Sequence, residues 1–379
     1  QASNTGNLMD TFDVAQIEIN RCPQGVLFGK NTTGGSIVVK RTQPTGEWGL
    51  RTSASYGSHD RRVFKAIGNA PITDDLALKV GGTYKEQTGY YDNVFFDDDE
   101  GDINYWAVTG SLLWTPTPDF DAELTIDRFE DTSDTPPQDP RYDGDDPWEN
   151  QANIEEDVNY LLTRVGLQMN WRTPHGSLHS ITGYTDSNDF VTQDFDGSTR
   201  ATSAMPLVQL HTSRDQAFTY FTQELRWNGR ITDRLDYVVG GYYFESDHEH
   251  FQFTNQWAQF PNPTGGAVPC GDLGLITNPN PDIGDSLCQI GPLLSNQFVT
   301  HDVESMAAFG AINWLITPKL ELSVGARYID EEKDFSNRFV DLTPPIEPTT
   351  PVAPTTESWD DMIMKADLRW QVTPDHLLY

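Results

Sequence analysis

Long runs of alternating apolar and polar residues constrain the fold of this chain more than any other feature. In residues 48–57, WGLRTSASYG, one side of an extended strand carries Trp48, Leu50 and Tyr56. Such runs have nine or more residues, whereas strands of globular proteins usually have about five or six. Long two-faced strands are typical of a large barrel with an apolar outer wall and a wet interior. Three further runs alternate in the same way, at residues 76–85, 320–328 and 362–372.

The breaks between these runs fall into two kinds that alternate along the chain. The short breaks are turn sequences such as TPTPD, TPHG, TPK and TPD. This alternation is the layout of an outer-membrane barrel, which has tight periplasmic turns and large external loops. A short external turn at residues 58–60 departs from it. The long polar breaks cover residues 90–102, 130–158, 187–216, 246–302 and 331–360.

Tryptophan placement gives a second indication of a membrane barrel. Five of the ten tryptophans come just before a short turn, and Trp is favoured at the bilayer interface, so we predict one aromatic girdle. A soluble propeller with one Trp per blade is the alternative, but the unevenly spaced turns and long strands fit it poorly. The five are Trp114, Trp171, Trp227, Trp314 and Trp370.

The fold class predicted from these patterns is an all-β membrane protein. We count about twelve strands from Trp48 to Val372 and the start of a thirteenth at His376. Because the runs stop in mid-pattern, we expect an incomplete antiparallel transmembrane β-barrel. Residues 1–46 precede it and do not have the pattern of membrane strands.

The charge of the chain restricts its partners. There are 57 acidic and 25 basic residues, and the net charge is −32. Nucleic acid is excluded as a partner because phosphate contacts need a basic face. Acidic residues cluster at 97–102 and at 130–157, and we interpret both clusters as solvated loop tips. A negatively charged vestibule, or carboxylates that hold divalent cations, are the functional alternatives.

The stretch GVLFGKNTTGG, residues 25–35, resembles a phosphate-binding loop only superficially. That motif needs a glycine five positions before Gly29 and Ser or Thr after the lysine, but the chain has Gln24 and Asn31 there. A β-branched run follows where a helix is required. We therefore predict a glycine-rich turn between the strands QIEIN and SIVVK.

Residues 17–39, IEINRCPQGVLFGKNTTGGSIVV, resemble the plug-domain signature of TonB-dependent outer-membrane receptors. The family usually has Gly where this chain has Cys22, and we predict a free Cys22 buried in the plug. The resemblance is specific in the plug and generic in the barrel, where turns of the W-x-x-T-P type also fit. Matching positions are Glu18, Arg21, Pro23, Gln24, Gly25, Leu27, Phe28, Gly29, Asn31, Gly34, Gly35 and Ile37.

The resemblance implies a 22-stranded barrel closed by an N-terminal plug. Residues 1–46 are then the C-terminal part of the plug, and residues 47–379 the N-terminal part of the barrel. It further implies a transporter rather than an enzyme. The transporter is expected in the outer membrane of a Gram-negative bacterium, in contact with the lipid and lipopolysaccharide of that membrane. The cargo implied is a ferric siderophore or similar iron chelate, with a saccharide or cobalamin as the alternative, and no resident cofactor. Coupling to TonB–ExbB–ExbD is expected through a segment upstream of residue 1.

The plug signature also separates this chain from a passive porin, because a passive porin has no plug. Within the signature, Glu18 and Arg21 resemble a charge pair that docks the plug against charges on the barrel wall. An ordinary surface ion pair is the alternative for these two residues.

Few other residues suggest a site. Cys270 and Cys288 lie in one loop segment, and we predict a disulfide between them. His248 and His250 share one face of a strand, where they make a metal site or an exposed pair. The surrounding YYFESDHEHFQFTNQW is suited to stacking a catecholate or saccharide, or to girdle and loop packing. We find no catalytic constellation, because no nucleophile motif such as G-x-S-x-G is present.

Overall fold

The large antiparallel sheet that the alternation predicts dominates the computed structural model. The structure describes residues 11–21, 25–29, 32, 34–135, 146, 148–152, 154–195, 207–261, 287–341 and 354–378. Among these residues, thirteen strands form one sheet, in which the strands follow one another in the order of the sequence. The sheet does not close on itself, because the strands Gly49–Tyr56 and His376–Leu378 are its two edges. It is therefore part of a barrel, as predicted.

The strands of this sheet are long, and each pairs with its neighbour in sequence. In chain order they are β3 (Gly49–Tyr56), β4 (Arg62–Thr73), β5 (Leu76–Gln87), β8 (Ile103–Thr117), β9 (Phe120–Asp131), β11 (Asp157–Thr173), β12 (Gly176–Asp194), β13 (Leu207–Thr232), β14 (Leu235–Pro261), β15 (Leu287–Thr317), β16 (Leu320–Asp341), β17 (Thr355–Thr373) and β18 (His376–Leu378).

Every predicted short turn is a two-residue connection in the structure. These connections join strands at one end of the sheet, for example residues 174–175 between β11 and β12. The first turn at the opposite end, near His59 and Asp60, is also short, and both residues have positive φ angles. The alternation of short and long breaks is therefore confirmed.

The predicted extents of three long loops are wrong, because strands continue into them. β12 ends at Asp194, β14 at Pro261 and β16 at Asp341, well inside the breaks at 187–216, 246–302 and 331–360. Beyond the membrane a strand needs no apolar face, since backbone hydrogen bonds alone continue the ladder. Apolar alternation therefore marks only the bilayer part of each strand.

The outer side of the sheet is apolar and exposed. Trp48, Leu50 and Tyr56 of the first run are 80%, 78% and 73% exposed, and the apolar residues of β16 and β17 follow the same pattern. Contiguous exposed apolar surface of this kind is the lipid-facing band of a membrane barrel. Among the described residues, no helix is long and apolar enough to cross a bilayer.

The N-terminal residues form a separate unit on the other side of the sheet. Strands β1 (Val14–Arg21) and β2 (Gly35–Arg41) pair in antiparallel fashion, and a one-turn helix α1 (Gly25–Phe28) lies between them. A 3₁₀ turn, Thr11–Asp13, precedes β1. Above the barrel, β6 (Tyr91–Asn93), β7 (Asp98–Glu100) and β10 (Glu149–Asn150) form a small sheet from two external loops.

Candidate functional site

One barrel lysine holds both ends of the β1–β2 hairpin. Lys79 of β5 is only 1% exposed, and its ammonium group donates to the Asp13 carboxylate at 2.7 Å and to the Thr42 carbonyl. Asp13 precedes β1 and Thr42 follows β2, and the Thr42 N–H donates to the Asp13 carbonyl at 3.0 Å. A charge buried this deeply requires such a partner. The contact therefore fixes the base of the hairpin to the barrel wall.

A second polar contact reinforces the first. The guanidinium of Arg41, at the end of β2, pairs with the Asp127 carboxylate of β9 and donates to the Thr109 hydroxyl of β8 at 3.1 Å. Gln43 donates to Glu123 of β9 at 3.0 Å. These contacts identify the odd-numbered positions of β5, β8 and β9 as the plug-facing side of the sheet. The hairpin is thus attached to the β5–β9 part of the wall by ionic and hydrogen bonds.

The opposite side of the plug unit makes apolar contacts. Helix α1 packs against β15, β16 and β17, and its Val26 is buried. A Cβ atom at Gly325 would lie 3.0 Å from Val26, and one at Gly25 would lie 3.2 Å from Ile363. Close packing there depends on the two glycines. Among the described residues, no ion pair joins α1 to this part of the wall.

Gly35 is the glycine whose backbone conformation the hairpin most requires. Its φ is +125°, and a Cβ atom there would lie 2.2 Å from the Asn20 carbonyl oxygen. No L-residue with a side chain fits such a position. Gly34, beside it, has open space around its Cα.

Among the described residues, the acidic residue of the signature forms its ion pair inside the hairpin and not with the barrel wall. Glu18 pairs with Lys40, which is also in the plug hairpin, and both side chains are partly exposed. Arg21 ends β1. Within the described part of the chain, Asp13 and Arg41 form ion pairs between the plug and the wall, and no sequence motif singled them out. Of the other predicted residues, Pro23, Gln24, Asn31, Cys22, Cys270 and the Cys288 side chain lie outside the described part of the chain.

The five predicted girdle tryptophans lie at one end of the sheet. Each comes close to a two-residue turn, and four are about half exposed on the outer side: Trp114, Trp171, Trp314 and Trp370. The fifth, Trp227, donates through its indole N–H to the Tyr237 hydroxyl at 3.1 Å. A ring in contact with lipid and an N–H with a polar partner is the arrangement that Trp adopts at a membrane interface.

Comparison with known proteins decides the family. The model of the family described as TonB dependent receptor-like, beta-barrel, matches residues 114–379. The chain belongs to the TonB-dependent receptors. It is therefore an outer-membrane protein of a Gram-negative bacterium, from a family of transporters rather than enzymes.

Solved structures of this family share the receptor's fold at low sequence identity. PiuA from Acinetobacter baumannii, a siderophore receptor, has a TM-score of 0.71 at 15% identity, with 96% of this chain and 53% of PiuA covered. FyuA from Yersinia pestis, the ferric yersiniabactin uptake receptor, has a TM-score of 0.67 at 18% identity, with 96% of this chain and 50% of FyuA covered. The open form of Fiu from E. coli, a ferric-catecholate import receptor, has a TM-score of 0.67 at 16% identity, with 96% of this chain and 58% of Fiu covered. The chain thus spans about half the length of these receptors.

The receptor's external loops contain a buried carboxyl group that joins three segments. Glu156 accepts hydrogen bonds from the Thr135 hydroxyl and, at 3.1 Å, from the Asp194 N–H. Burial raises the pKa of Glu156 to about 8, and the negative charge of Glu100 adds to the rise. The hydrogen bond from the Asp194 N–H acts in the opposite direction, because it favours the ionised carboxylate. Burial also raises the pKa of Asp134, which accepts from the Asp102 N–H at 2.9 Å.

The two predicted histidines lie on the plug-facing side of the receptor's wall. The rings of His248 and His250 are 6.3 Å apart, and His250 is 2.5 Å from the Gln216 amide. His301 lies across the strand pair from His248, a neighbour that sequence reasoning missed. Over the described residues, no group of three or more His, Cys, Asp or Glu side chains is arranged to hold a metal ion.

Proposed function

We propose that this chain is part of a receptor that binds a ferric siderophore or similar iron chelate at the cell surface and imports it with energy from the TonB–ExbB–ExbD complex. The observation that carries the proposal is the plug hairpin seated on the inner wall through Lys79 and Arg41. A plug held inside a barrel blocks passive diffusion. Import therefore requires the plug to rearrange, and polar contacts in a wet lumen can be exchanged for water and remade.

Iron chelates are the proposed cargo because the receptors named above take such compounds. At less than 20% identity these likenesses support the fold alone, so the cargo must be tested directly. The structure also resembles the copper transporter OprC, at a TM-score of 0.58.

A saccharide is the second candidate cargo, favoured by an aromatic cluster on the external loops. Tyr90 and Tyr91 have ring centroids 4.6 Å apart, and Trp148 lies 5.6 Å from Tyr90. Tyr90 and Trp148 are about half exposed, and Glu100 lies opposite Tyr91 in the β6–β7 pair. Exposed aromatic faces beside hydrogen-bond acceptors are suited to stacking sugar rings.

Growth of a strain that lacks the full-length gene tests the proposal. The deletion strain should lose growth on at least one ferric chelate as sole iron source, and the full-length gene should restore it. Growth on glycans with ample iron should not change. A deletion that grows normally on every ferric chelate but fails on a glycan would refute the iron proposal and support the saccharide.

A further inference from the structure

Arg327 of β16 is a buried cation that contacts two aromatic rings and forms no ion pair among the described residues, although the charge of Glu224 on β13 attracts it from a distance. The residue is 4% exposed, and its guanidinium lies 5.3 Å from the ring centres of both Tyr242 and Phe309. Its Nε atom is buried without a hydrogen-bond partner, and among the described residues Arg327 forms no ion pair. The two other buried or half-buried cations at the plug, Lys79 and Arg41, each have a carboxylate.

A guanidinium with an unsatisfied Nε–H is costly in such a place. A buried donor without an acceptor loses its hydration and gains no hydrogen bond in return. The two aromatic faces offset part of this cost by cation–π attraction, but they accept no hydrogen bond in the guanidinium plane. The Nε–H of Arg327 is thus left available for an oxygen acceptor from elsewhere.

The plug covers this cation directly. Gly29 follows helix α1 with a φ of +77°, and a Cβ atom there would lie 3.4 Å from Nη2 of Arg327. Val26 packs on Gly325, two positions before Arg327 on the same side of β16. Since α1 contacts this wall without an ion pair among the described residues, movement of α1 exposes Arg327 without breaking a charge pair.

The barrel wall beside Arg327 carries a second guanidinium group and an aromatic ring. Strand register aligns Arg226, Gly240, Phe309 and Arg327 across β13 to β16. The Phe309 ring lies over Gly240, where a Cβ atom would be 2.5 Å from the ring. Arg226 also has a buried Nε without a partner, although its Nη1 is 3.5 Å from Glu224. Two guanidinium groups therefore flank an aromatic surface.

We propose that Arg327 marks an internal cargo subsite, covered by the α1–Gly29 turn in this state, that binds an anionic oxygen group of the cargo during import. A carboxylate or phenolate of a chelate fits, because guanidinium donates two parallel hydrogen bonds to such oxygens and aromatic faces stack on a planar carrier. The inference rests on the proposed iron-chelate function and adds a charge preference to it.

Uptake of chelates of different charge tests the subsite in the full-length receptor. Radioactive iron is supplied to the deletion strain as an anionic ferric tricatecholate, as anionic ferric citrate, or as a neutral ferric trihydroxamate. With Arg327→Gln, import of the anionic chelate that the wild type transports should fall roughly tenfold relative to import of the neutral one. Surface binding without TonB energy should stay within about twofold, because the subsite is then covered.

The ratio of anionic to neutral uptake is the deciding quantity, because a folding defect lowers both rates alike. If Arg327→Gln does not reach the membrane, Arg327→Lys replaces it, and a smaller fall of about threefold is expected since lysine cannot form the paired hydrogen bonds. Arg338→Gln is the matched control. Arg338 is on the same strand but the other side of the sheet, with its guanidinium 4.4 Å from the Phe298 ring, and its loss should leave the ratio unchanged.

Three outcomes overturn the subsite and leave the iron-chelate function standing. They are an unchanged ratio in the Arg327 variants, a loss of surface binding as large as the loss of uptake, and a wild-type receptor that imports only the neutral chelate. A wild-type receptor that restores no iron uptake at all would refute the proposed function together with the subsite.

Discussion

Replacement of Lys79 by Met should release the base of the plug hairpin from the barrel wall. At 2.7 Å, the gross attraction between Lys79 and Asp13 is about 6 kcal/mol for an effective dielectric constant of about 20. Much of this offsets desolvation, but loss of one partner leaves a poorly solvated charge, at a cost of about 3–5 kcal/mol. We therefore expect the Lys79→Met variant to destabilise docking of the hairpin by about 3 kcal/mol.

Hydrogen exchange of the Thr42 N–H, in the full-length receptor in detergent, measures this loss. That N–H donates to Asp13, so its exchange should become roughly a hundredfold faster in the variant. A second change, Asp13→Asn, should restore part of the protection because no charge is then left unpaired.

The matched control is Arg230→Met. Arg230 and Asp236 also lie 2.7 Å apart, but their side chains are 66% and 53% exposed, so the expected loss is below about 1 kcal/mol. If Lys79→Met accelerates exchange no more than Arg230→Met does, burial does not strengthen the Lys79 contact and our reasoning about hairpin docking is wrong.

Three further predictions concern the hairpin, the external loops and the girdle. Gly35→Ala should destabilise the plug hairpin by about 3 kcal/mol or more, whereas Gly34→Ala should have little effect; equal losses in chemical denaturation would contradict this. Because burial raises the folded-state pKa of Glu156 from about 4.5 to about 8, the folded loops are most stable below pH 4.5 and lose stability as pH rises toward 8; protection of the Asp194 N–H, measured against its intrinsic exchange rate, should therefore fall between pH 5 and pH 8, and Glu156→Gln should remove that fall. Single-Trp receptors that retain Trp171, Trp314 or Trp370 should show equal fluorescence quenching by headgroup-level bromolipids, and quenching at unequal depths would exclude a common girdle.

The membrane part of the fold could be predicted because its sequence rules are local. Strand alternation depends only on which side meets lipid, and the six TP-type or Asp-containing turns each leave two residues between strands. The tryptophans before those turns follow the same interface rule. The β1–β2 hairpin was also predicted, although the glycine-rich turn within it includes the short helix α1.

The contacts between plug and barrel could not be predicted, since they depend on register and tertiary distance. Asp13 and Lys79 are 66 residues apart, and Arg41 and Asp127 are 86 apart. In the sequence, Lys79 was one of several polar residues on the inner side of an amphipathic strand. Glu18 was the more conspicuous acid because it belongs to the signature, yet its partner is Lys40 within the hairpin.

The length of β16 has a consequence for where solutes first meet the protein. Its 22 residues, at about 3.3 Å each and a tilt of about 40°, rise roughly 55 Å along the barrel axis. The apolar band of an outer-membrane barrel is only about 25 Å tall, so the strand projects about 30 Å beyond it. A solute thus leaves the bulk medium well above the lipid headgroups. Over that distance the side chains of the strands help to determine how large or how charged it can be.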